Sequence, residues 1–148
     1  MPSLTIVGLG YLGSAISKKS KQLGFETTGI NKNNHNPHCK TLLMDLAADK
    51  VKIPSCDYVV CCIPPRGQYQ DYLKIIKNIA CSCADMKSQP YVIYVSSTGV
   101  FDNMQGMIND KTMPTPNSDR SKALFKAENI FKKYYPKVMI VRPTRIYG

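Results

Sequence analysis

The sequence predicts an α/β fold, an open doubly wound parallel sheet with helices on both faces. Three observations carry this. Apolar runs of strand length alternate with segments whose apolar residues recur every three or four positions, the rhythm of parallel strands joined by right-handed helical crossovers. One run, Tyr58 to Ile63, is apolar without alternation, as in a strand buried on both faces. The first run leads directly into a glycine-rich turn, GLGYLG, and then into a helical pattern. At 148 residues the chain has the length of one domain, and it shows neither an internal repeat nor a second domain.

The elements follow in order. Leu4 to Val7 is the first strand. The helix after it places Leu12, Ala15, Ile16 and Leu23 on an apolar face, with Lys18, Lys19 and Lys21 as polar positions and Gly24 as its stop. Phe25 to Ile30 is the second strand, Asn31 to Lys40 a polar loop, Thr41 to Met44 a short third strand, and Asp57 to Ile63 a fourth, ended by Pro64 and Pro65. From Gln68 to Ala84, Tyr69, Tyr72, Leu73, Ile76, Ile79, Ala80 and Cys83 define a helix. Tyr91 to Val95 is strand five. Gly99 to Asn117 is a long loop without periodicity, a length usually tied to function or disorder. Ser118 with Asp119 caps a last helix whose buried face is Ala123, Leu124, Ala127, Ile130, Phe131 and Tyr134. Val138 to Val141 is strand six.

Composition excludes several classes. Hydrophobic residues make up 43% and charged residues 20%, which rules out a disordered or low-complexity chain. No apolar run approaches the roughly 18 residues of a membrane helix, and MPSLTIVGLGYLG lacks the basic start of a signal peptide, so a cytoplasmic location is expected. Of the six cysteines, Cys61 and Cys62 fall within a strand pattern and Cys81 and Cys83 within a helical one, and the six read as reduced structural thiols. His35, His38 and Cys39 are of metal-ligand types but have no second ligand pair at finger spacing, so no metal is expected. The formal net charge of +10 would attract nucleic acid, an anionic membrane or a phosphorylated ligand. The lysines are scattered and no aromatic residues interleave with them, so a solvated basic surface is favoured over a nucleic-acid footprint.

The chemistry concentrates around Gly8, Gly10 and Gly13, which stand in GxGxxG spacing between a strand and a helix. In that context the glycines allow a tight turn and close backbone approach, and the helix start at Tyr11 and Leu12 offers free N–H groups to a pyrophosphate. At the end of strand two, a carboxylate normally bonds the ribose of NAD, whereas this chain has Asn31 and Lys32. With Lys32, Lys40 and His35 at hand for a 2′-phosphate, NADP is favoured, with NAD as the alternative.

Four segments carry a family likeness: TIVGLGYLG, Asp45 after strand three, VSSTGVF at Val95 to Phe101, and RPTRIYG at the end. With them the chain resembles the NAD(P)-dependent epimerase/dehydratase family of the short-chain dehydrogenase/reductase superfamily, and within it the atypical bacterial members. The resemblance implies a Rossmann sheet ordered 3-2-1-4-5-6, with the dinucleotide lying across the carboxyl ends of the strands past Asp45, Ile63 and Pro64. It implies that Ser97, with Thr98 beside it, orients a substrate carbonyl near the nicotinamide while the Gly99 to Asn117 loop covers the substrate.

Two departures accompany the likeness. The family's YxxxK pair, counted back from Glu128, falls on Arg120 and Leu124, and sliding the register to Lys122 puts Ser118 at the tyrosine position. Arginine stays charged and supplies no proton near neutrality. The family's chain also continues past RIYG into a substrate-binding part that is absent from residues 1–148. The chain thus reads as a fragment, a shortened or split product, or a minimal cofactor-binding module. Its expected function is dinucleotide binding of oxidoreductase or epimerase ancestry, with an unknown small-molecule substrate. The alternatives are a non-catalytic nucleotide sensor and, last, a basic nucleic-acid-binding protein. Arg66 reads as a loop arginine within reach of phosphate or substrate, and Arg142 and Arg145 as anion ligands or partners of Asp102 or Asp110.

Overall fold

Six apolar segments pair side by side, all parallel, into one sheet. In the computed structural model, which describes residues 1–147, these are β1 (Ser3–Val7), β2 (Glu26–Asn31), β3 (Lys40–Leu43), β4 (Tyr58–Cys61), β5 (Tyr91–Val95) and β6 (Met139–Val141). The helices are α1 (Tyr11–Gln22), α2 (Tyr69–Ala84) and α3 (Asp119–Tyr134), and Thr98–Phe101 forms a single 3-10 turn after β5. The sheet order is β3-β2-β1-β4-β5-β6, the order implied by the resemblance. Val7 lies level with Ile30 on one side and Cys61 on the other, so the carboxyl ends of β1, β2 and β4 share one rim. The connection from β1 runs to one side and the next half of the chain to the other. A crevice opens at that reversal, where ligands of such sheets bind.

The two faces are covered unequally. On one, α2 and α3 pack Tyr72, Ile76, Ile79, Ala127 and Phe131 against Val7, Val59, Val92 and Tyr94. On the other, α1 contributes Ile16 to a smaller cluster with Leu4, Ile6 and Val60. Beyond α1 that second face stays open toward β6, and Tyr91, Met139 and Val141 are exposed. The strand ends agree with the sequence pattern to within a few residues, and the apolar period of α2 is realised as its buried face.

The buried face of α1 differs from its expected one. Ala15 and Leu23 are exposed, and the helix instead buries Gly13, Ser17 and Ser20. The reason is distance: a Cβ at Gly13 would stand 1.9 Å from the Gly8 carbonyl oxygen, so the helix lies too close to the strands for large side chains. The buried serines satisfy themselves, Ser17 Oγ donating to the Ser14 carbonyl at 2.9 Å, and Ser20 Oγ donating to the Ser17 carbonyl while sharing a 2.8 Å bond with Thr27 Oγ1. All six cysteines are free, and among the described residues no helix is long and apolar enough to cross a membrane.

Candidate functional site

The turn from β1 into α1 gives each glycine a separate task. Gly8 has φ +91°, a conformation that disfavours any side chain. Gly13 permits the close contact of helix and strand just described. Gly10, the residue before the first turn of α1, faces open space, with no protein atom within 4 Å of where a Cβ would be. That space belongs to a cavity of about 840 Å³ along the carboxyl rim, within the usual roughly 300–1,000 Å³ range of ligand pockets. The first turn of α1 holds no acidic residue and Gly10 lends it no side-chain cap, so its N–H groups remain available to an anion.

Of the residues expected from sequence, Gly8, Gly10, Tyr11, Leu12, Gly13, Asn31, Lys32, Asp45, Ile63, Pro64 and Ser97 all line this one cavity. Thr98 does not. Its backbone N–H donates to the Pro143 carbonyl at 3.1 Å, and it borders a second cavity of about 400 Å³ with Phe101, Ile108, Asn109, Asp110, Lys132 and Arg142. The Gly99 to Asn117 loop goes with it, contributing Phe101 and residues 108–110 to the second cavity and nothing to the first. The cause is the 3-10 turn, which buries Val100 and Phe101 against Leu124 and carries the chain away from the rim.

Around the β2 and β3 ends the polar groups hold one another. The Asn31 amide donates to the Asn34 carbonyl, and its Oδ1 accepts from Lys32 N–H. The Lys32 ammonium stands 3.3 Å from Asp45, and hydrogen bonds from Ala47 N–H and then Lys32 hold the Asp45 carboxyl below its ordinary value. Lys40 begins β3 at its far end and His35 is exposed on the loop. Neither borders the cavity, so of the three basic residues considered for a 2′-phosphate only Lys32 is in place.

At the β5 end, Ser97 borders the cavity and its Oγ accepts from Gly99 N–H at 3.0 Å. Arg120 and Leu124, at the positions of the family's tyrosine and lysine, both line the cavity, whereas Ser118 and Lys122 do not. Leu124 is buried at 4% exposure, and Arg120 Nη1 donates to the Pro65 carbonyl at 3.0 Å.

Among the cavity residues that carried no site signal in the sequence are Asp71, Tyr72 and Cys62. Tyr72 belongs to the expected core face of α2 yet borders the cavity, its hydroxyl bonded at 2.5 Å to that of Tyr94. Burial raises its pKa well above the ordinary phenol value, so it releases no proton near neutrality. Cys62 also borders the cavity, and burial pushes its thiol up to about 11, which leaves it protonated and a poor nucleophile.

Arg142 corrects the expected pairing. It donates from Nε to Glu128 Oε1 at 2.9 Å and from Nη2 to Oε2 at 2.7 Å. Ser96 Oγ donates to the same Oε1 at 2.6 Å, and Glu128 is fully buried. Asp102 instead accepts from the N–H groups of Asn117 and Ser118 at 2.7 and 3.0 Å. The buried ion pair thus joins β6, α3 and the residue immediately before Ser97.

Comparison with solved structures places this arrangement. Along its whole length the chain superposes on an NAD-dependent NDP-hexosamine 5,6-dehydratase of tunicamycin biosynthesis, with a TM-score of 0.85 and 17% identity, covering 56% of that chain. The fold is that of the NAD-dependent epimerases and dehydratases. A UDP-glucuronic acid 4-epimerase from Bacillus cereus, solved with NAD, matches 99% of the chain at a TM-score of 0.82 and 16% identity, with 57% of its own length covered. A UDP-N-acetylglucosamine 4-epimerase from Bacillus cereus matches all of it at 0.82 and 18%, with 55% covered. The chain therefore spans little more than half the length of these epimerase/dehydratase structures. No family model and no curated protein matches the sequence.

Proposed function

We propose that this chain binds a nicotinamide dinucleotide, NADP in preference to NAD, across the carboxyl rim of its sheet, and that Ser97 orients the oxygen of a small substrate beside it. The observation that carries the reading is the division of labour among Gly8, Gly10 and Gly13. Gly8 makes the turn, Gly13 lets α1 lie close to the strands, and Gly10 borders the cavity with open space where a side chain would stand. When bound, the nicotinamide supplies hydride transfer at a carbon bearing a hydroxyl or carbonyl. The chain supplies the N–H groups of α1 toward the diphosphate, Asn31 and Asp45 toward the adenosine side, and the hydroxyl of Ser97 toward the substrate.

The preference for NADP rests on an amide, Asn31, where a carboxylate would repel a 2′-phosphate, and on the ammonium of Lys32. Asp45 offsets part of that ammonium's charge, so the preference is expected to be modest. Calorimetric titration with both nucleotides tests the reading: NADP should bind more tightly, and Asn31→Asp should shift the preference toward NAD. A folded sample that binds neither at millimolar concentration removes the dinucleotide reading, and NAD binding ten times better than NADP removes the preference.

A second reading, a module that binds the dinucleotide without turning it over, is favoured by Arg120 and Leu124. They supply neither the phenol nor the ammonium of the family's acid–base pair, and general acid catalysis is worth roughly 10²- to 10⁴-fold. Loss of reduced-nicotinamide absorbance with carbonyl and nucleotide-sugar substrates separates the two readings. The purified chain is expected to show no such transfer.

A further inference from the structure

We propose that Arg120, together with Arg145 and Ser97, receives an anionic group, a carboxylate or a phosphate, carried by a second ligand that binds on the β4–β6 side of the cleft. This rests on the dinucleotide reading for the identity of the first ligand.

The charges around the cleft are unevenly committed. Lys32 is paired with Asp45. Arg142 lies outside the cleft and is neutralised by Glu128. Arg66, Arg120 and Arg145 border the cleft and form no ion pair among the described residues, and Asp71 is the one other carboxylate there. Three exposed guanidiniums against one carboxylate leave the border of the cavity positive.

Arg120 is also held in place. Its Nη1 is tied to the Pro65 carbonyl, which leaves Nε and Nη2 to present parallel donors to an oxyanion. A guanidinium anchored in this way loses less freedom on binding than a free one.

The dinucleotide's own diphosphate does not account for Arg145. Its diphosphate belongs at the glycine turn after β1, and Arg145 follows β6, three strands further along the sheet order. At the usual strand spacing that is about 14 Å away. The nicotinamide end of the dinucleotide, which would lie between them, brings no anion of its own. Ser97 adds a hydroxyl donor on the same side.

The test uses the full chain saturated with NADP and titrated by calorimetry with lactate, glycerol 3-phosphate and, as the neutral control, glycerol. One anion or both should bind and glycerol should not, and the stronger of the two identifies the group as carboxylate or phosphate. Arg120→Gln should weaken the anion at least tenfold while moving the NADP affinity by less than about twofold, with Arg145→Gln acting in the same direction. Circular dichroism verifies that both variants fold. Anions that bind no better than glycerol overturn the proposal. So does an Arg120→Gln variant that loses NADP and anion alike, which would make Arg120 a contact of the dinucleotide. The same titrations without NADP separate the two readings: an Arg120-dependent anion on a chain that binds no dinucleotide supports this site while removing the dinucleotide reading.

Discussion

A methyl group at Gly13 would stand 1.9 Å from the Gly8 carbonyl oxygen, whereas one at Gly10 would meet no protein atom within 4 Å. Gly13→Ala is therefore expected to cost about 1–3 kcal/mol of stability, because α1 must move off the sheet. Gly10→Val should cost no more than about 1 kcal/mol yet abolish dinucleotide binding, and chemical denaturation beside calorimetry on the two variants separates these effects. The glycines were legible because their spacing reports backbone geometry. The partner of Arg142 was not, since sequence offered only Asp102 and Asp110, and it is the packing of α3 that brings Glu128 to it. Removing one member of a buried ion pair strands the other, so Glu128→Ala should destabilise by about 3–5 kcal/mol. The double change Glu128→Met with Arg142→Met leaves no stranded charge and is expected to cost much less. Urea denaturation of the single and double variants measures the difference.

At the level of elements, α2 was read correctly because burial at every third or fourth position repeats over four turns. The face of α1 was misread because its contact is set by Gly13 and two serines, which carry no apolar signal. The start of α3 shows both outcomes. Ser118 caps the helix as expected, its Oγ accepting from Ser121 N–H at 3.2 Å, but the carboxylate that fixes the preceding chain is Asp102, sixteen residues back. Ser118, through its hydroxyl and N–H, is the main cause that holds the Asp102 carboxyl well below its ordinary value of 3.8. A folded-state value lowered in this way contributes stability that is fully present above 3.8 and is lost as pH falls below it. Wild type should therefore exceed Asp102→Asn in melting temperature at neutral pH, with the gap closing as the pH is taken below 3.8. A gap that stays constant down to acid would place the effect elsewhere than in the charge of Asp102.

Across the whole molecule, the net charge of +10 must be reconciled with a cleft whose volume suits a small ligand. The lysines are all exposed, and they divide between the two sides of the sheet, with Lys18, Lys19 and Lys21 on α1 and Lys122, Lys126, Lys132 and Lys133 on α3. A nucleic-acid footprint gathers its cations on one face or along one groove, and a sheet with basic helices on opposite faces presents no such stripe. The cations that border one cavity without an ion pair among the described residues are the arginines of the cleft. Salt distinguishes the two distributions quantitatively. A protein that neutralises 6–10 phosphates loses roughly 10³–10⁵ in affinity between about 50 and 200 mM salt. About four phosphate charges at the single-strand slope of about −0.7 each would lose no more than about fiftyfold over the same range. NADP titrated at both salt concentrations is expected to fall within that smaller limit, and single-stranded DNA at the higher one to show no saturable binding. A DNA complex that is tight at low salt and persists at the higher concentration would mean that the lysines of at least one face act together, and the basic surface would then have a partner of its own.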